Sequence, residues 1–254
     1  MEVTMDLTAM FFAVAVPAAI LAGISKGGFA GGGAFVSTTM MAVVVEPVFA
    51  IAVMLPILLL IDITTLKIYW RQWVPRLSIA LIFGGVIGVL LGAVVFHDAD
   101  PDVIRVFIGA ISIGFVAFQG AKELGLLPTQ PLSYRFLPAA VSGAGAGFTS
   151  FVAHAGSPPF AIYVLRLGLS KQDYQATSVV VFWWINLAKL PLYQSLGMFP
   201  DTFWWAFLVL APAAFLGTLL GAWLHKRVSN AAFTGVIHFF LLLGGAKLLF
   251  DGLT

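Results

Sequence analysis

Long apolar stretches alternate with short polar ones along the whole chain. Six apolar stretches, at 47–69, 77–96, 103–120, 174–193, 202–224 and 231–250, each approach the ~20 residues a helix needs to cross a bilayer core of about 30 Å. Four runs are shorter, at 7–24, 31–45, 136–149 and 155–165. At ~1.5 Å per residue the shortest reaches only about 17 Å, too little to span upright. The short runs come in pairs, each joined by a glycine- or proline-rich break. Polar stretches at 71–76, 97–102, 122–135, 166–173 and 225–230 read as loops. The pattern predicts an all-α integral membrane protein in which the first two segments of each half are short or broken, as re-entrant hairpins or tilted spans.

The segments repeat in order. "IDITTLKIY" (61–69) matches "INLAKLPLY" (185–193), "GVLLGAVVFH" (88–97) resembles "GTLLGAWLHK" (217–226), and "QGAKEL" (119–124) matches "GGAKLL" (244–249). The offsets are 124 from Asp62 to Asn186, 129 from Gly88 to Gly217, and 125 from Lys122 to Lys247. Similar offsets in one order predict a duplication: a first membrane repeat in 1–124, a loop at 125–135, and a second repeat in 136–254. Five segments per half is an odd number, so the second copy is inverted. With ten segments, one side receives Arg71, Arg76, Lys122, Arg135, Arg166, Lys171, Lys226 and Arg227. The other receives Arg105 and Lys247 among most of the carboxylates. Cytoplasmic loops are the basic ones, so both termini are expected outside. With eight spans the bias vanishes.

Composition sharpens this picture. Of 254 residues, 61% are hydrophobic and 9% charged, with a mean hydropathy of +1.03; a soluble domain carries a far more polar shell. No polar stretch is long enough for a soluble domain. The net charge of +2 and scattered basic residues do not suit nucleic acid. With no cysteine, disulfides, thiolate metal sites and cysteine nucleophiles are excluded. Glu2 and Asp6, in place of basic residues, argue against a signal peptide.

The breaks carry the candidate chemistry. The first, "GISKGGFAGGG" (23–33), sets six glycines around a lysine. Broken helices in inverted repeats are a transporter signature. A helix N-terminus aimed at the midplane offers unpaired N–H groups and about half a positive charge, an anion site made from backbone. Gly27, Gly28, Gly31, Gly32 and Gly33 allow close approach, Ser25 adds a hydroxyl and Lys26 a charge. The second break, "TSFVAHAGSPP" (149–159), offers Ser150, His154, Gly156 and Ser157 as ligand contacts, with Ser157 read as the N-cap before Pro158 and Pro159. Asn186 and Lys189 lie on one face of the segment 174–193, and Asp62 occupies the position equivalent to Asn186. An Asp62–Lys189 contact between halves, as structure or as a coupling gate, is expected, because intramembrane charges face a partner or a cavity. The glycines at 84, 85, 88, 92, 217 and 221 are expected to serve helix packing. Trp70, Trp73, Trp204 and Trp205 are expected at the interfaces.

With these residues in hand, the chain resembles the TauE/SafE family of sulfite exporters over nearly its whole length. The likeness rests on "GISKGGFAGGG", "MLPILLLIDITTL", "FTSFVAHAGSPP" and "TSVVVFWWINLAKLPLY". It departs at Ser157, where a second glycine is expected. The resemblance implies a bacterial inner-membrane permease for sulfite, sulfonates or other small sulfur-containing anions, without fixing which one. The leading expectation is therefore a secondary transporter of a small oxyanion, working by alternating access, with no cofactor. Its expected partners are the anion, the lipid bilayer, a coupling proton or other ion through Asp62, His154 or Lys26, and a second copy of the chain as a homodimer. An intramembrane enzyme is disfavoured: 143–147 reads Gly-Ala-Gly-Ala-Gly without a nucleophile, and a histidine–carboxylate metal cluster is missing. An anion channel is the remaining alternative.

Overall fold

The computed structural model describes residues 8–29, 33–97, 99–126, 130–199, 202–224, 227 and 230–254. Among them lie ten α-helices: α1 (Ala9–Ile24), α2 (Gly33–Ala42), α3 (Pro47–Ile68), α4 (Pro75–His97), α5 (Pro101–Glu123), α6 (Phe136–Ala153), α7 (Ser157–Val164), α8 (Lys171–Ser195), α9 (Phe203–Leu224) and α10 (Asn230–Leu253). A π-helical turn, Ser25–Phe29, follows α1. A 3-10 turn, Leu165–Leu167, follows α7.

Local chemistry explains the boundaries. Proline opens α3, α4 and α5, where its missing N–H would be unpaired in any case. Asp100 caps α5 by accepting from the Asp102 N–H at 2.9 Å, and Ser170 caps α8 by accepting from the Asp173 N–H at 3.0 Å. Gly125, Gly168 and Gly197 take the left-handed backbone just past α5, the 3-10 turn and α8.

Among the described residues, seven helices are long and apolar enough to cross a membrane. Helix α8 has 25 residues, ample length, but carries Gln175, Asn186 and Lys189 in its interior. Helices α2 and α7 have 10 and 8 residues, about 15 Å and 12 Å at the helical rise. Here the structure corrects the sequence reading. Helix α1 ends at Ile24 as expected and reaches spanning length only with part of its π-helical turn, over Ala9–Gly27, while the second segment of each half stays short. Helix α6 continues to Ala153 and is 18 residues long. Thr149, expected at its end, stays helical with its hydroxyl 2.9 Å from the Gly145 carbonyl, and the chain breaks only at His154.

Helix α3 forms the centre, with Ala50 to Leu55 fully buried. The outer faces of α4, α9 and α10 expose large apolar side chains such as Val94, Leu216 and Phe239, as suits contact with lipid. Two seams are built on glycine. A Cβ at Gly84 would fall 1.8 Å from the Ala140 carbonyl oxygen, and one at Gly88 would fall 2.0 Å from that of Ala144. Both positions rise together, so α4 and α6 run parallel with backbones in direct contact. Gly217 and Gly221 meet Ile20 and Ile24 in the same way, so α1 and α9 also run parallel. These glycines serve packing, as expected. Elsewhere the sense reverses. Gly109 abuts Gly245 while Gly252 abuts Asp102, which makes α5 and α10 antiparallel. Asp62 meets Asn186, and Val74, beyond the end of α3, meets Thr177 near the start of α8. Helices α3 and α8 are therefore antiparallel.

Trp70, Trp204 and Trp205 are exposed near helix ends, where an interfacial belt would lie.

Candidate functional site

Two polar clusters meet where α3 crosses α8. The first joins the π-helical turn to both helices. Lys26 forms an ion pair with Asp62, whose other oxygen accepts from the Asn186 side-chain amide at 2.7 Å. Asp62 and Asn186 are nearly fully buried, and Lys26 retains partial exposure. A buried polar atom needs a partner, and each carboxylate oxygen has one. The expected Asp62–Lys189 contact does not form. Lys26 is the cation that neutralises Asp62, and Asn186 makes the contact across to α8.

The second cluster closes α6. A helix ends with unpaired carbonyls. The Ser150 carbonyl accepts from the His154 N–H at 3.0 Å, and the Thr149 carbonyl accepts from the Ala155 N–H at 3.2 Å. Helix α8 supplies the rest. Lys189 Nζ donates to the Ser150 carbonyl at 2.9 Å and lies 3.1 Å from the Ser150 hydroxyl and 2.8 Å from His154 Nδ1. The Tyr193 hydroxyl donates to the Phe151 carbonyl at 2.6 Å. His154 Nε2 lies 2.9 Å from the Ile51 carbonyl of α3. That carbonyl only accepts, so Nε2 carries the ring proton and Nδ1 is the acceptor for Lys189. His154 is thus neutral, held with φ at 54°, a left-handed conformation that histidine adopts more readily than most residues.

Lys189 is fully buried and touches no carboxylate. Its partners are a carbonyl, a hydroxyl and an imidazole, which match the three protons of an ammonium but do not neutralise it. Lys26 and Asp62 lie near enough to act on it electrostatically. The partial negative end of α6 and the partial positive end of α7 meet at this break and largely offset one another. The centre therefore holds two lysines against one aspartate.

The remaining candidates fall into place around this core. Ser25 is buried, and Gly28 lies in the π-helical turn, an interruption that recurs at functional sites. Gly33 is the first residue of α2; Gly31 and Gly32 lie outside the described residues. Gly27 is taken up by packing: a Cβ there would sit 2.3 Å from the Thr218 carbonyl of α9. Gly156 is packed likewise, against Phe182 and the Ala146 carbonyl. Gly156, not Ser157, is the N-cap of α7, and it makes no side-chain cap. Ser157 is the first helical residue. Pro158 and Pro159 lack N–H groups and Phe160 N–H goes to the Gly156 carbonyl, so α7 offers few free backbone donors. The charge at this break comes from Lys189.

Gln175 also belongs to this centre, although neither break points to it. It is buried; its amide nitrogen makes a long 3.4 Å contact to the Lys26 carbonyl, and its oxygen has no partner among the described residues. A glutamine inside an apolar stretch was the available signal.

A family model described as "Sulfite exporter TauE/SafE" matches residues 15–248. The chain belongs to the TauE/SafE family. It is accordingly a multi-pass membrane protein of a transporter family, and both break clusters and the α3–α8 crossing of this TauE/SafE protein lie within the matched span. No curated protein and no solved structure matches it.

Tyr193 tests the local architecture. Tyr193→Phe in this TauE/SafE protein leaves the Phe151 carbonyl buried and unpaired. It should destabilise the protein by about 1–3 kcal/mol, read as a lower unfolding midpoint in detergent.

Proposed function

We propose that this protein is a secondary transporter that carries a small sulfur-containing anion, such as sulfite or a sulfonate, across the bacterial inner membrane by alternating access. The observation that carries the reading is Lys189: an amine fully buried beside the second break, held only by a carbonyl, a hydroxyl and an imidazole nitrogen and touching no carboxylate. A membrane protein keeps such a group where a ligand of opposite charge completes it.

The two halves, 1–124 and 136–254, act as inverted repeats. Two pairings support this. Helices α3 and α8 are repeat equivalents by sequence and run antiparallel; so do α5 and α10. The parallel seams α4–α6 and α9–α1 are equivalents of one another under the same exchange. The pseudo-twofold axis then passes between Asp62 and Asn186, which are equivalent positions in direct contact. Substrate sits beside this axis, within reach of Lys189, Ser150, His154, Asn186, Lys26 and Ser25. Asp62 gates Lys26. The basic loops face the cytoplasm and both termini face the other side.

The test is counter-flow. Liposomes containing purified protein and loaded with unlabelled sulfite should transiently accumulate external labelled sulfite, with a rate that saturates. Flux that rises linearly with concentration and shows no counter-flow indicates a channel. No flux of sulfite or of any sulfonate overturns the reading.

A further inference from the structure

The transport reading leaves open which charge state of the anion the protein accepts. The central charges decide it. Lys26 and Asp62 cancel as an ion pair. His154 is neutral, because its Nε2 proton faces the Ile51 carbonyl and a second proton on Nδ1 would point at the Lys189 ammonium. Tyr193 is committed to the Phe151 carbonyl. The next charged side chains along α3 are Glu46 and Lys67, at its two ends, and those of α8 are Lys171 and Asp173, at its start. Residues 30–32 are Ala-Gly-Gly and add no charge. One basic group, Lys189, is left without a carboxylate, and its three partners suit the ammonium that a bound anion would complete.

Resting on the transport reading above, we infer that the site is balanced by one negative charge: it takes monovalent sulfonates or hydrogen sulfite and rejects dianions of the same size, with Asp62 setting the limit by holding Lys26 neutralised. A dianion would leave one charge uncompensated inside the membrane, which costs about a hundredfold in binding. Neutralising Asp62 converts the site. With Lys26 released, two positive charges face the ligand, and a dianion becomes the balanced guest. Removing Lys26 as well returns the site to one charge.

The experiment compares methanesulfonate with sulfate, which differ by a methyl group in place of one charged oxygen. Affinities are read by thermal shift and equilibrium binding on the purified full chain at one pH and one ionic strength. The wild type should prefer methanesulfonate by at least about tenfold, and by up to about the hundredfold set by one unpaired charge. Asp62→Asn keeps an acceptor for Asn186 and should move the preference toward sulfate by at least about tenfold. Lys26→Met/Asp62→Asn should restore the preference for methanesulfonate; should Asp62→Asn alone fold poorly, the wild-type preference decides, because equal affinity for the two anions overturns the inference. A wild type that binds sulfate as well as methanesulfonate overturns the inference and leaves the transport reading standing. So does the same preference in all three proteins. Binding of neither anion, nor of sulfite, to the wild type overturns the transport reading itself.

Discussion

Lys189→Met should abolish anion binding while leaving the protein folded. Methionine fills much of the volume of the lysine stem, and replacing a buried charge by an apolar side chain of similar size is often neutral for stability. The losses are local. The Ser150 carbonyl keeps its bond from the His154 N–H, and His154 Nδ1 loses its donor at a cost of about 1–3 kcal/mol. Binding is affected far more. With Lys189 gone, the centre contains only the Lys26–Asp62 pair, which is neutral, and an anion entering it is uncompensated. That costs roughly 2.5–3.5 kcal/mol, or about a hundredfold or more in affinity. The measurement is the shift of the unfolding midpoint by millimolar sulfite or methanesulfonate: several degrees for the wild type, none for Lys189→Met. An unchanged shift would assign Lys189 to structure alone, as the cap of α6. Lys26→Met differs in kind. It strands the Asp62 carboxylate with only Asn186 as partner, so it should lower stability as well as binding.

The second large effect is mechanical. Gly84→Ala should destabilise the protein severely. The added methyl carbon would lie 1.8 Å from the Ala140 carbonyl oxygen, a backbone atom that no rotamer change can move aside. Helix α4 would have to withdraw from α6 by more than an ångström, breaking the neighbouring contact at Gly88 too. Overpacking costs typically ~1–3 kcal/mol where side chains can adjust, and here the obstacle is backbone, so the loss should exceed that range. Gly114→Ala is the control. Nothing lies within 4 Å of a Cβ at Gly114, and alanine is the better helix former by about 1 kcal/mol. The unfolding midpoint should fall steeply for Gly84→Ala and stay level or rise for Gly114→Ala. Equal midpoints would mean that the seam between α4 and α6 yields easily.

Much of this fold can be read in the chain before any coordinates, for a reason particular to membranes. Lipid demands continuous apolar helices, so each element announces itself as a run, and each polar residue inside a run stands out. Asp62, Asn186 and Lys189 are conspicuous on that ground; Gly and Lys mark the first break, and Gly, Pro and His the second. Partner choice was less visible. Whether Asp62 meets Lys26 or Lys189 depends on the crossing of α3 and α8, which no local pattern encodes. The end of α6 is hidden in the sequence because Thr149 and Ser150 look like loop residues, although the Thr149 hydroxyl folds back onto a carbonyl of the preceding turn. The carbonyls of Ile51 and Phe151, which hold His154 and Tyr193, carry no residue-type signal at all. Gly27 and Gly156 read as ligand-lining glycines, but their missing Cβ atoms make room for α9 and for Phe182. Glycine permits close approach without saying what approaches.

The glycine seams also determine which parts can move as blocks. Helix α4 is locked to α6, and α1 to α9, by backbone touching backbone, and each lock ties one half of the gene product to the other. Under the proposed transport cycle, the two sequence halves are therefore not the units that move. Any swing that opens the centre to one side of the membrane and then the other must carry these stitched pairs intact, pivoting instead where α3 and α8 lean on each other through a carboxylate and an amide.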